Sequence, residues 1–174
     1  MGYIYLYTGD GAGKTTNALG LALRSMGHCH KVVILQFMKW YQETGEYQFQ
    51  FLDWKIKEYY TLIQLGRQGW HGLGNLKDYD KELAHKGLEL AKIVLTSENP
   101  PNLLVLDEIN LAVSSGLLTN EEVLEVLKFI PKETNIVMTG RNAPKDLLDR
   151  ADFINVITCT KMPKDMVCDE GIQY

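Results

Sequence analysis

Apolar residues recur along this chain in two alternating rhythms. Unbroken β-branched or aromatic runs at 3–8, 31–37 and 103–106 read as short strands, the last one apolar enough to be buried on both faces. Between the first two runs, Ala18, Leu19, Ala22, Leu23 and Met26 stand at helical spacing, which predicts a helix over 15–26 that Gly27 ends. Residues 58–64 read as another strand, and 79–96 as a long helix through Leu83, Leu88, Ala91 and Leu95. Thr119 and Glu122 have the spacing of a capping box, in which each satisfies the other's free backbone N–H, so a helix is predicted from there to about Phe129. Two more strands, 135–139 and 153–158, flank a short helix that begins near Pro144, where a missing N–H costs nothing. Alternating strands and helices with apolar strands predict an α/β fold: a mostly parallel sheet with helices on both faces. No repeat, low-complexity tract or linker interrupts the pattern, so residues 1–174 are expected to form a single domain.

Composition leaves this picture intact, with 45% hydrophobic and 23% charged residues as in ordinary globular proteins. Charge narrows the partners. Eighteen Lys plus Arg are scattered among 22 Asp plus Glu for a net charge of -4, which argues against nucleic acid or an anionic membrane and toward a small molecule. No apolar stretch approaches the roughly 18 residues of a membrane span, and Met1 to Leu6 carries no basic leader, so a soluble cytoplasmic protein is expected. Cys29, Cys159 and Cys168 are odd in number and lack C-x-x-C spacing; they suit a reducing compartment and read as structural. His28 and His30 flank Cys29 in a predicted turn with no third ligand nearby, and read as solvated turn residues.

The chemistry gathers in three places. Directly after the first strand comes Thr8-Gly9-Asp10-Gly11-Ala12-Gly13-Lys14-Thr15-Thr16, followed at once by a helix. Glycines let successive N–H groups face one anion, the helix N-terminus adds positive potential, Lys14 supplies a point charge and the Thr15 hydroxyl can ligate Mg²⁺. The match to the phosphate-loop pattern is imperfect, since Thr8 stands where the first glycine belongs. Asp107 and Glu108 end the apolar 103–106 strand, where paired carboxylates can hold Mg²⁺ directly or through water. Arg141, after Thr139-Gly140, would open onto the same edge and can clamp phosphate, although a plain surface arginine fits the spacing as well. Together these predict a site for Mg²⁺ and a nucleoside triphosphate. Residues 66–74, with four glycines and Trp70, read as a mobile loop whose aromatic covers a flat ligand.

The order of Gly9 to Thr16, Gln36-Phe37-Met38-Lys39, Leu106-Asp107-Glu108-Ile109-Asn110, Thr139-Gly140-Arg141-Asn142-Ala143-Pro144 and Gly171-Ile172-Gln173-Tyr174 resembles the ATP:corrinoid adenosyltransferases of the CobA/CobO/BtuR type over nearly the whole chain. That resemblance implies a RecA-like P-loop fold, a homodimer, and transfer of the 5′-deoxyadenosyl group of ATP to the cobalt of a reduced corrinoid, with an electron-donating flavoprotein or other reductase as partner. It implies ATP binding by Gly9, Asp10, Gly11, Ala12, Gly13, Lys14, Thr15, Thr16 and Arg141, with Lys14 and Arg141 acting in catalysis. Mg²⁺ would lie on Thr15, Asp107 and Glu108, and the corrinoid near Gly69 and Trp70. Where the family places a second aromatic two residues on, this chain has Gly72, and Lys161-Met162-Pro163 stands for the family's Lys-His-Pro. A phosphoryl-transfer enzyme or ATPase using Lys14, Asp107 and Glu108 is the alternative, and it would release ADP.

Overall fold

The computed structural model describes residues 2–69, 72–165 and 168–173. Its strands are β1 (Ile4–Thr8), β2 (Val32–Phe37), β3 (Tyr60–Leu65), β4 (Leu103–Asp107), β5 (Asn135–Thr139) and β6 (Phe153–Val156). They form one all-parallel sheet in the order β3-β2-β4-β5-β1-β6. One strand, β5, separates β1, which runs into the glycine-rich loop, from β4, which ends in the acids; this is the RecA-like arrangement of a P-loop fold. Register pairs Gln36 with Asp107 and Tyr7 with Thr139, so the C-terminal ends of four strands finish level at one edge.

The helices are α1 (Lys14–Met26), α2 (Gly45–Phe49), α3 (Ile56–Tyr59), α4 (Asp78–Leu95), α5 (Ile109–Ser114), α6 (Asn120–Leu127) and α7 (Lys145–Arg150). Strand alternation sends Ile4, Leu6, Leu104 and Leu106 to one face, where α4, α5, α6 and α7 cover them with Leu88, Ala91, Ala112, Val123, Leu127 and Leu147. Tyr7, Ile34, Val105 and Val137 point to the other face, which α1 covers with Ala18 and Ala22. β4 is buried at every position, and each of its four apolar side chains contributes roughly 1.5 to 3 kcal/mol. The expected cap of α6 is present: Thr119 Oγ1 accepts from the Glu122 N–H at 3.2 Å while Glu122 Oε2 accepts from the Thr119 N–H at 2.8 Å. No helix of the described residues is long and apolar enough to cross a membrane.

Several expectations need correction. α1 does end at Gly27 as expected, but Gly27 itself stays right-handed and the reversal falls on Cys29 at φ 58°. The apolar stripe of α1 divides: its alanines face the sheet, while Leu19, Leu23 and Met26 border a cleft, leaving Leu23 64% exposed. β3 starts later than expected because Ile56–Tyr59 closes a helical turn first. β6 is an exposed edge strand with its Phe153 ring stacked on Tyr5 at 4.6 Å. It stops at Val156 because the next residues cross the glycine-rich loop, Ile157 accepting from the Gly11 N–H at 2.9 Å. All three cysteines are exposed, so none is a core residue.

Candidate active site

The loop after β1 is shaped by its glycines and by what crosses it. Gly9 and Gly13 adopt φ 102° and 106°, and a Cβ on Gly9 would meet the Ile157 carbonyl oxygen at 2.3 Å. Thr8 needs no left-handed backbone, which explains why a non-glycine stands there; its hydroxyl accepts from the Ala143 N–H at 3.3 Å. Gly13 then caps α1 and leaves the helix's first N–H groups free to face an anion. Lys14 is buried inside the loop, its Nζ donating to the Gly9 and Gly11 carbonyls, both at 2.7 Å. Burial pushes its pKa down, against the opposing pull of Glu108.

Asp107 lies beneath the loop rather than emerging at the strand tip, at 1% exposure. Four donors hold it. Its Oδ1 accepts from the hydroxyls of Thr139 at 2.6 Å and Thr15 at 2.9 Å. Its Oδ2 accepts from Lys39 Nζ at 2.7 Å and Gln36 Nε2 at 3.2 Å. Burial alone would raise its pKa, but the Lys39 charge and these hydrogen bonds hold it below the ordinary carboxylate value. Lys39 is held above its ordinary value for the reciprocal reason: burial opposes its charge, and Asp107 and Glu108 more than offset that.

Glu108 follows in a left-handed conformation, φ 63°, its N–H donating to Thr139 Oγ1 at 2.9 Å. Its Oε2 is buried with no hydrogen-bond partner among the described residues, and burial raises its pKa. A carboxylate in that position wants a cation. With Thr15 and Asp107 beside it, the donor set is hard oxygen, as Mg²⁺ requires, and Lys39 Nζ already stands as a cation on Thr15 Oγ1 at 2.9 Å and on Asp107. The residues present therefore fit Mg²⁺. Because the folded pKa of Glu108 exceeds the unfolded one, the wild type loses stability as pH rises through the folded value. Glu108→Gln is expected to melt no lower than wild type at pH 8 without ligands, and to need more Mg²⁺ for nucleotide binding. Thermal melts and a Mg²⁺ titration of nucleotide affinity check both halves.

Arg141 is exposed and reaches the same cleft, set there by Gly140 at φ 132°. Asn110 braces this corner from α5, its Nδ2 donating to the carbonyls of Gly140 at 3.3 Å and Tyr7 at 3.4 Å. Residues 10–16, Glu108, Arg141 and Gly69 thus border one cleft of about 1740 Å³. Trp70 lies outside the described residues. The loop that carries it is pinned at Arg67, which donates to Asp80 Oδ1 and the Asn75 carbonyl, both at 2.8 Å, so 66–74 is not free throughout. His28 and His30 stand exposed in the turn after α1.

Sequence reasoning missed Lys39, Gln36, Thr139 and Asn110 as members of the site. The first two sit in the Gln-Phe-Met-Lys run at the end of β2, and parallel pairing beside β4 was the available signal.

A sequence model of the family described as ATP:corrinoid adenosyltransferase BtuR/CobO/CobP matches residues 1–174. An uncharacterized protein from Nostoc sp. is 34% identical over 94% of this chain, but the match spans only 45% of that protein's length. A corrinoid adenosyltransferase from Sinorhizobium sp. is 30% identical over 99% of this chain and 80% of its own. The corrinoid adenosyltransferase of Escherichia coli strain K12 is 29% identical over 99% of this chain and 86% of its own.

Proposed function

The chain belongs to the ATP:corrinoid adenosyltransferase family, and on that premise we propose that it transfers the 5′-deoxyadenosyl group of Mg·ATP to the cobalt(I) of a corrinoid, releasing triphosphate, in cobalamin biosynthesis or salvage. One observation carries this reading. The phosphate loop, Glu108 and Arg141 open into a cleft of about 1740 Å³, beyond the roughly 300 to 1000 Å³ of a pocket for one small ligand. Its lining also includes Leu19, Leu23, Leu73, Met162 and Ile172, an apolar surface that suits a second, large and flat substrate beside the nucleotide.

Cobalt(I) is itself a strong nucleophile, so the step asks the protein for alignment and charge stabilisation rather than for an activated side chain. Cobalt attacks C5′, the C5′–oxygen bond breaks, and its electron pair leaves with triphosphate. Lys14 and the loop N–H groups hold the departing oxygens, and Arg141 clamps them from the β5 side. Thr15, Asp107 and Glu108 would hold Mg²⁺, which supplies further neutralisation of the leaving group. Gly69 and Trp70 are assigned to the corrinoid, Trp70 excluding the lower axial ligand so that cobalt(II) can be reduced. A flavoprotein or other reductase would supply that electron, and the family resemblance favours a homodimer.

Product analysis after incubation with Mg·ATP and a chemically reduced corrinoid tests the reading. Triphosphate and a light-sensitive cobalt–carbon product are expected, whereas ADP would replace it with phosphoryl transfer.

A further inference from the structure

Lys39 has no part in the steps above, yet it is the cation most closely engaged with the proposed metal ligands. Its Nζ lies 2.7 Å from Asp107 Oδ2 and 2.9 Å from Thr15 Oγ1. Mg²⁺ binds oxygen at about 2.0 to 2.1 Å, so an ion on these two groups would contest the place of the ammonium. We propose that Lys39 is the resident counter-cation of this site: it holds Thr15 and Asp107 in position in the nucleotide-free protein, yields that place when Mg·ATP arrives, and passes to the phosphates.

Three observations support the exchange. Asp107 is 1% exposed, and a carboxylate so buried needs a partner charge before any metal is present. The backbone at Lys39 is fixed: Met38 sits at φ 61° with its N–H on the Leu65 carbonyl at 3.1 Å, and Gly66 is so close that a Cβ there would lie 2.5 Å from the Lys39 nitrogen. The side chain, by contrast, borders the open cleft and is 22% exposed, so its flexible stem can swing while the backbone stays. Charge balance favours the same movement, because the dianion Mg·ATP brings an excess of negative charge on the phosphates that the freed ammonium can meet. The consequence is selectivity: the metal enters with the nucleotide and binds poorly without it.

This inference rests on the metal–nucleotide reading of the site but not on the corrinoid chemistry. Its test is a Mn²⁺ titration of the nucleotide-free full chain, followed by the paramagnetic resonance signal of free Mn²⁺. Lys39→Met, which keeps the stem and removes the charge, is expected to bind Mn²⁺ at least tenfold more tightly than wild type, and Lys39→Arg to bind as weakly as wild type. Adding Asp107→Asn to Lys39→Met should abolish the gain. An unchanged affinity in folded Lys39→Met overturns the proposal, as does tight binding by Lys39→Arg or a gain that survives Asp107→Asn. If Lys39→Met is unfolded at rest, recovery of a cooperative melt on adding Mn²⁺ supports the proposal, and failure to recover overturns it. The hand-over is read from how far ATP tightens Mn²⁺ binding: that enhancement is expected to be roughly tenfold smaller in Lys39→Met than in wild type, and an equal enhancement overturns that part. No corrinoid is present, so failure here leaves adenosyl transfer standing, and ADP in the product analysis would leave Lys39 untouched.

Discussion

Lys14→Ala is expected to lower the rate of nucleotide turnover by on the order of 10²-fold, equivalent to about 3 kcal/mol of lost transition-state stabilisation. The loop amides and the helix end remain in this variant, but they carry partial charges, whereas a departing triphosphate develops full charge that only a fixed cation matches. Lys14 is prepared for that role. Its ammonium is buried in the loop on two carbonyls, so little solvent must reorganise when oxygen anions replace them. Stability should change far less than rate. Burial already works against the Lys14 charge and offsets its two hydrogen bonds, and the freed carbonyls can turn to water in the cleft. Single-turnover kinetics with a pre-reduced corrinoid, set beside a thermal melt, separates the two effects. Wild-type activity in Lys14→Ala would remove the phosphate-loop assignment.

Asp107→Asn should show the reverse profile, a large loss of stability visible without any ligand. The carboxylate accepts from four donors, and an amide offers two N–H groups where acceptors are required. Breaking a buried ion pair by removing one partner costs about 3 to 5 kcal/mol, which in a chain of this size lowers Tm by roughly 10 °C. The pH dependence carries the sign. Asp107 has its pKa depressed in the folded protein, so its contribution is complete above the unfolded carboxylate value of about 3.9 and is lost as pH falls through the folded value. The gap between wild type and variant should therefore be widest near neutrality and narrow as pH falls below about 3.9. A gap that stays constant over that range would mean that Asp107 is not held as a paired carboxylate.

The sheet was legible in the sequence because burial on both faces leaves an unbroken apolar run, as in Leu103 to Leu106. The phosphate loop and the acids were legible for a related reason: glycine, lysine and carboxylate directly after a strand have few structural uses. What escaped were residues whose role comes from strand order. Gln36 and Lys39 belong to the site only because β2 lies beside β4, and Thr139 only because β5 lies on its other side. Side-chain identity could not say which strands are neighbours. The small helices Gly45–Phe49 and Ile56–Tyr59 escaped because neither is long enough to show a helical period. Leu23 was misjudged since an apolar residue at helical spacing looks the same whether it faces a core or a ligand cleft.

Strand order also governs how the chain assembles. β1 precedes every other strand of this sheet in sequence, yet its pairing partners are β5 and β6, with Ile4 beside Ile136 and Tyr5 beside Phe153. Neither edge of β1 can be paired until residues 135–139 of β5 have been made, and closing a loop of that length makes the pairing slow. β2, β3 and β4 can meanwhile pair with one another and bury their apolar side chains against α4. A chain that reaches only as far as β4 lacks the strands that flank β1 and the brace that Ile157, from beyond β6, gives the glycine-rich loop. On the proposed function, nucleotide binding requires β5, β6 and Ile157 to be in place, so ATP would be a ligand of the assembled sheet rather than a guide to it.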